Sequence, residues 1–231
     1  MKTEAIIAAG GKGERFGEKN PKQFYYLAGK PILCWTIFQF EKCKGIDKII
    51  LVVPQGMKKW TEKLIFPSYK FRKIKEITEG GKQRNESVLK GLKKIDEDTN
   101  LVIIHDGVRP LISPSLIEKV IDETEKYGAV TLGLPVKETL KKIEGPWVKE
   151  TLEKKEIYSI QTPQGFWKDL IFGAYQKVER SGWRASDDAT LIEKLGHKVK
   201  VILGEEVNIK ITTPLDVKIA EFLLNKRCVQ A

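Results

Sequence analysis

Histidine and cysteine are scarce in this chain, with two histidines and three cysteines among 231 residues. The cysteines (Cys34, Cys43 and Cys228) are too few and too scattered for a disulfide framework or a Cys-x-x-Cys metal site. His105 has no second ligand near it in the sequence, so it reads as a strand-end histidine, not as part of a metal cluster. No apolar run approaches the roughly 20 residues that cross a bilayer, which argues against a membrane protein. MKTEAII joins an early acid to a short apolar run, so it reads as a first strand and not an export signal. A cytoplasmic location with reduced cysteines follows as an expectation. Internal repeats, low-complexity tracts and Ser/Gly-rich linkers are also missing. The simplest organisation is a single domain over residues 1–231.

Basic residues number 41 and acidic residues 31, a formal charge of +10. Such an excess suits nucleic acid, an anionic membrane or small phosphorylated substrates. Lysines and glutamates alternate in stretches such as KKIDED and EKLGHKVK, however, which describes a solvated surface. No interleaved basic and aromatic pattern points to nucleic acid.

Four short apolar runs, 4–9, 48–53, 101–105 and 129–134, have strand length. They are continuous, not alternating, which predicts strands covered on both faces in a parallel sheet. Helical periods lie between them. Pro31 opens the segment 31–43, Val88, Leu92 and Ile95 share one helix face, and Ser113-Pro114 starts a helix with Leu116, Ile117, Val120 and Ile121 inward. Thr213-Pro214-Leu215-Asp216 resembles a capping box that opens a last helix to about Lys226. The alternation predicts an α/β fold with a doubly wound, mostly parallel sheet, whose ligands bind beyond the carboxyl ends of the strands. Residues 135–160 break this rhythm with two charged segments around Gly145-Pro146. They are expected to form a protruding β-arm that pairs with another subunit.

The first strand runs into AAGGKGERFGEKNPKQF, where glycines let backbone N–H groups approach a ligand and Lys and Arg add full charge. A Walker A loop needs Ser or Thr after its Gly-Lys, and Gly13 stands there. The dinucleotide fingerprint matches at Gly11 and Gly13 but has Phe16 in its third glycine position, and Asn20-Pro21 delays the helix, which disfavours a dehydrogenase. Two further loops would open onto the same crevice. In HDGVRP, Asp106 stands where a Mg²⁺ bridges to phosphates or where a carboxylate caps a turn. Arg109 reads either as a phosphate clamp or as an anchor for Asp106. In GGKQRNES, Gly80 and Gly81 fit a tight strand-to-helix passage, with Arg84 and Ser87 facing a ribose or phosphate. In NIKIT, Lys210 is flanked by Ile209 and Ile211, as a lysine aimed at a partner would be.

Taken in order, AAGGKGERFGEKNPKQF, GGKQRNESV, HDGVRP, PVKET, TPQGF and NIKIT resemble the 2-C-methyl-D-erythritol 4-phosphate cytidylyltransferase family across nearly the whole chain. The glycine loop and Pro-Lys-Gln are shared with the wider sugar-phosphate nucleotidyltransferases, whereas TPQ and NIKIT narrow the resemblance to the cytidylyl branch. The resemblance implies a Rossmann-like nucleotidyltransferase fold and a reaction of CTP with a polyol phosphate in non-mevalonate isoprenoid biosynthesis. It implies nucleotide contacts from Ala8, Ala9, Gly10, Gly11, Gly13, Gly81, Arg84, Ser87 and Asp106. Arg15 and Lys22 would neutralise charge in the transition state, and Lys154 and Lys210 would hold the attacking phosphate. Asp106, Arg109, Thr139, Thr162 and Ser186 would line the polyol-phosphate site, and Asp106 would help position Mg²⁺. A homodimer through the 135–160 arm, bringing Thr139 and Lys154 to the partner's site, is also implied. Lys154, with Lys155 beside it, stands where the family often has Arg, and Ser186 where it often has Thr. Phosphoryl chemistry fits a histidine-poor chain, because positioning and charge stabilisation replace a protein nucleophile. Ribitol 5-phosphate as acceptor, and a non-enzymatic nucleotide binder, are the competing readings.

Overall fold

The computed structural model describes residues 1–11, 21–181 and 185–229. Its strands are β1 (Thr3–Ala8), β2 (Tyr26–Leu27), β3 (Lys30–Pro31), β4 (Lys48–Val53), β5 (Ile74–Glu79), β6 (Leu101–Asp106), β7 (Ala129–Pro135), β8 (Lys141–Glu144), β9 (Trp147–Thr151), β10 (Tyr158–Trp167) and β11 (Lys200–Leu203). Its helices are α1 (Ile32–Lys42), α2 (Lys58–Ile65), α3 (Arg84–Leu92), α4 (Pro114–Tyr127), α5 (Lys168–Ser181), α6 (Ala189–Lys194) and α7 (Pro214–Val229). No helix among the described residues is long and apolar enough to cross a membrane.

A seven-stranded sheet in the order β11-β7-β10-β6-β1-β4-β5 forms the centre. All its neighbours run parallel except β10, which is antiparallel to β6 and to β7. The continuous apolar runs explain the core. Alternate residues of each strand point to opposite faces, so Ala5 and Ile7 pack with Leu33, Ile37 and Phe40 of α1 and with Ile117 and Val120 of α4. On the other face Ile6, Ile50, Val102 and Ile104 meet Val88 of α3, Ile171 and Tyr175 of α5 and Ile192 of α6. Each fully buried Ile or Leu contributes about 1.5–3 kcal/mol of transfer free energy. A third cluster packs Val217, Ala220 and Leu224 of α7 against Leu27, Ile32, Val108 and Leu111.

The helix signals are realised in atomic detail. Ser113 Oγ accepts from Leu116 N at 3.2 Å, Pro114 occupies the first turn, and Gly128 closes α4 in the left-handed region at φ 79°. At α7, Asp216 Oδ2 accepts from Thr213 N at 2.7 Å while Asp216 N reaches Thr213 Oγ1 at 3.4 Å, a reciprocal cap. The helix read through Ile95 ends at Leu92 instead, although Ile95 still packs against the same apolar cluster.

The chain runs outward from β1 through β4 to β5 and then returns to place β6 on the other side of β1. A topological switch point therefore lies between β1 and β6, with Ala8 and Asp106 side by side in the register. The charged segment after β7 forms the separate hairpin β8–β9, every residue of which is exposed, with Gly145 turning it at φ 60°. Residues 158–160 of the expected arm belong instead to β10 and return into the central sheet.

Candidate active site

At the switch point the carboxyl ends of β1 and β6 open into a cavity of about 480 Å³. Among the described residues, five chain segments build its wall. Ala8, Ala9, Gly10 and Gly11 leave β1; Lys22 and Gln23 begin a 3-10 turn; Gly81, Lys82, Arg84 and Ser87 come from the entry to α3; Asp106 ends β6 and Lys210 precedes α7. The first and third segments meet so closely that glycine is favoured there. A Cβ on Gly10 would stand 2.7 Å from Ser87 Oγ, and one on Gly80 would stand 2.5 Å from the same atom. Ser87 Oγ in turn accepts from Gly81 N at 3.0 Å and donates to Gln83 O at 3.0 Å, which fixes the loop before α3.

Sequence reading gives Gln23 no role, yet it ties the glycine segment to the turn bearing Lys22. Its Nε2 donates to Ala9 O at 2.6 Å and to Gly11 O at 2.9 Å. An amide inside Pro-Lys-Gln carries no signal of its own; only the folded chain supplies its acceptors.

Asp106 is the electrostatic centre. Arg84 Nε donates to its Oδ1 at 3.1 Å, Lys210 Nζ lies 2.8 Å from Oδ2, and Arg109 Nε lies 3.5 Å away as a charge contact. Burial works against its ionisation, but Arg84, Lys210 and Arg109 hold the carboxyl far below the usual carboxylate range. Lys210, flanked by Ile209 and Ile211, has this acid as its partner.

Beneath Asp106 runs a directional chain of hydrogen bonds. Asp106 N donates to Thr162 Oγ1 at 3.0 Å, and the Thr162 hydroxyl lies 3.1 Å from His105 Nδ1. His105 Nε2 lies 3.2 Å from Arg109 O, and because a carbonyl only accepts, Nε2 carries the proton and Nδ1 accepts from Thr162. Arg109 Nη1 continues to Asn208 O at 2.9 Å. Burial pushes the His105 imidazole down to about 3. A group depressed on folding supplies stability that is complete above its unfolded value near 6.5 and drains away as pH falls toward 3. From this group alone we expect wild type to lose about 2 kcal/mol between pH 7 and pH 5 in denaturant titrations. His105→Gln should remove that share of the slope, and an unchanged slope would show that the imidazole does not control it.

The other sequence-predicted residues lie apart from the cavity. Arg109 and Thr162 are buried behind Asp106. Thr139 and Lys154 are exposed on the segment joining β7 to β10, and Lys154 Nζ donates to Lys137 O at 2.9 Å. Ser186 is exposed ahead of α6, with its hydroxyl 3.2 Å from Thr190 Oγ1. Gly13 and Arg15 lie outside the described residues.

The donor set does not fit a metal held by the protein. Both Asp106 oxygens already face cations, and among the described residues no three His, Cys, Asp or Glu gather around a point.

Comparison with known proteins converges on one group. Residues 3–226 match the family model described as IspD, 2-C-methyl-D-erythritol 4-phosphate cytidylyltransferase. The chain is 43% identical to the protein of that name from Alkaliphilus oremlandii, over 98% of this chain and 96% of the relative. It is 40% identical to the Alkaliphilus metalliredigens protein of the same name, over 98% and 94% respectively. Among solved structures it resembles the 4-diphosphocytidyl-2C-methyl-D-erythritol synthase of Anaerococcus prevotii, with a TM-score of 0.85, 34% identity, and coverage of 97% of this chain and 96% of that one.

Proposed function

The chain belongs to the 2-C-methyl-D-erythritol 4-phosphate cytidylyltransferase family, and from that premise we propose how its crevice divides the work. The reaction joins CTP and 2-C-methyl-D-erythritol 4-phosphate to give 4-diphosphocytidyl-2-C-methyl-D-erythritol and pyrophosphate in isoprenoid biosynthesis. A phosphate oxygen of the polyol forms the new bond to the α-phosphorus of CTP, and the α–β phosphoanhydride bond breaks. The attacking phosphate is already ionised near neutral pH, so no side chain need take a proton.

The observation that carries this reading is the cavity itself, in which, among the described residues, Lys22, Lys82, Arg84 and Lys210 share the wall with glycine backbone and a single carboxylate, Asp106. Such a surplus of positive charge favours a triphosphate and more strongly the charge that develops as pyrophosphate departs. The glycine segment and the Gly81–Ser87 segment take the nucleotide. Lys22, with Arg15, stabilises the transition state. Lys210 holds the attacking phosphate, and the polyol extends beyond this cavity toward Arg109, Thr162 and Ser186. Were a divalent ion such as Mg²⁺ to accompany the triphosphate, Asp106 would be the wall residue that helps position it, and the ion would supply neutralising charge to the phosphates. The chain forms a single domain and works in the cytoplasm. Release of pyrophosphate from CTP with 2-C-methyl-D-erythritol 4-phosphate tests the assignment. Release with ribitol 5-phosphate alone would overturn it, and binding of CTP without turnover would favour a nucleotide binder.

The arm supports a second part of the proposal. Ile143, Trp147 and Val148 stand more than half exposed on the β8–β9 hairpin, which is too polar elsewhere to cover a core of its own. The hairpin therefore pairs two copies of the chain, and Thr139 and Lys154 serve the partner's cavity. Removing residues 140–152 is expected to give a monomer with activity reduced at least ~10-fold. A fully active monomer by light scattering and assay would refute the arrangement.

A further inference from the structure

Arg84 is held between two carboxylates from distant parts of the chain. Its Nε donates to Asp106 Oδ1 at 3.1 Å and its Nη2 to Asp188 Oδ2 at 2.7 Å. Asp106 faces the cavity, whereas Asp188 is fully buried behind Arg84 and takes no part in the wall. A buried carboxylate is costly unless it is paired and hydrogen-bonded. Asp188 is both. Its second oxygen accepts from the Tyr175 hydroxyl of α5 at 2.5 Å. Its backbone N–H and that of Ala189 both donate to Gln164 Oε1 of β10 at 3.1 Å. Gln164 Nε2 is anchored in turn on Thr131 Oγ1 and Asp187 Oδ2, each at 2.8 Å.

The bland explanation is that Asp188 caps α6, since it occupies the N-cap position and aspartate favours it. Its side chain makes no capping bond, however. Asp187 does that work, with Oδ1 accepting from Thr190 N at 3.1 Å. The Asp188 carboxylate turns away from the helix it begins and toward Arg84.

We infer that Asp188 and Tyr175 are positioning residues for cytidylyl transfer, clamping the Arg84 guanidinium so that it faces both Asp106 and the nucleotide cavity. A guanidinium is a rigid planar fork, and fixing two of its N–H directions fixes its plane. Without Asp188 the fork is free to turn fully onto Asp106, where a bidentate pair is the strongest available geometry. Asp106 would then be drawn from Lys210, which it now holds at 2.8 Å. Asp188 thus lets Asp106 serve two sides at once. Tyr175 keeps the Asp188 carboxylate from rotating.

The inference rests on the transfer reaction assigned above, and a double-mutant cycle separates the two. Arg84→Lys, Asp188→Asn, the double variant and Tyr175→Phe would be compared with wild type in kcat/KM for CTP, in CTP Kd by calorimetry and in melting temperature. Asp188→Asn should lower kcat/KM about 10- to 100-fold, and Tyr175→Phe about 3- to 10-fold, while Phe preserves the packing of α5. The double variant should be no worse than Arg84→Lys alone, because Asp188 acts only through Arg84. Losses that multiply, or that merely track melting temperature, would overturn the positioning role, as would unchanged kcat/KM in Tyr175→Phe and Asp188→Asn. Should Asp188→Asn fail to fold, Tyr175→Phe decides the matter by itself. Wild-type turnover in the same assay checks the reaction; where turnover is lacking, the cycle in CTP Kd still judges the clamp.

Discussion

Lys22→Ala is expected to lower kcat by about 10²-fold or more while weakening CTP binding much less, the usual scale for losing a charge partner of a transition state. The expectation follows from how the residue is held. Lys22 opens the 3-10 turn Lys22–Phe24, whose Gln23 side chain is bonded to Ala9 and Gly11 and whose Phe24 is buried in the core. Its backbone is therefore fixed relative to the glycine segment, and the side chain lines the cavity from that fixed point. A cation placed in advance needs no reorganisation when the leaving pyrophosphate gains charge, which is where preorganised electrostatics act most strongly. The charge that Lys22 meets most strongly is the charge gained by the leaving pyrophosphate after CTP has bound, so the loss should fall chiefly on kcat. A rise in KM with kcat untouched would make Lys22 a binding residue only. Gln23→Ala should reproduce part of the effect, because it loosens the turn without removing the charge.

The parts of the fold legible in the sequence are those whose chemistry is local. IIA in β1, IILVV in β4 and LVII in β6 are continuous because both sheet faces are covered, so a buried parallel strand announces itself without its neighbours. Ser113 and Gly128 mark α4 because capping is a matter of adjacent atoms. β10 is illegible for the opposite reason. Its first three residues are exposed, the next six are buried, and Pro163 cannot donate to a ladder. The sheet tolerates that proline through a register shift between Gln161 and Gln164, a device that only pairing with β7 reveals. The edge strands β5 and β11 carry charges among their apolar residues and read as surface. The site divides in the same way. Glycine and charge immediately after an apolar run betray the segments around Gly10, Gly80 and Asp106. Asp188 and Tyr175 give no such sign, since their meaning lies in Arg84, 104 residues from Asp188 in the chain.

Asp106 and Lys210 are the two ends of one 2.8 Å ion pair, yet their removal should produce opposite signatures. Asp106→Asn leaves Arg84, Arg109 and Lys210 facing one another around a neutral amide whose NH₂ can only repel them. Because Asp106 is buried, this uncompensated charge should cost about 3–5 kcal/mol in denaturant unfolding and a large share of kcat as well. Lys210→Ala removes one cation of three and leaves Asp106 paired with Arg84 and Arg109. The lysine side chain is 39% exposed, so water screens the pair and stability should change by no more than about 1 kcal/mol. Its loss should appear instead as a rise in KM for the polyol phosphate and a fall in kcat of about 10-fold or more, with CTP binding spared. Equal destabilisation by the two substitutions would mean that the pair is structural. Unchanged polyol-phosphate kinetics in Lys210→Ala would remove that lysine from the attacking phosphate and leave Asp106 as its only business.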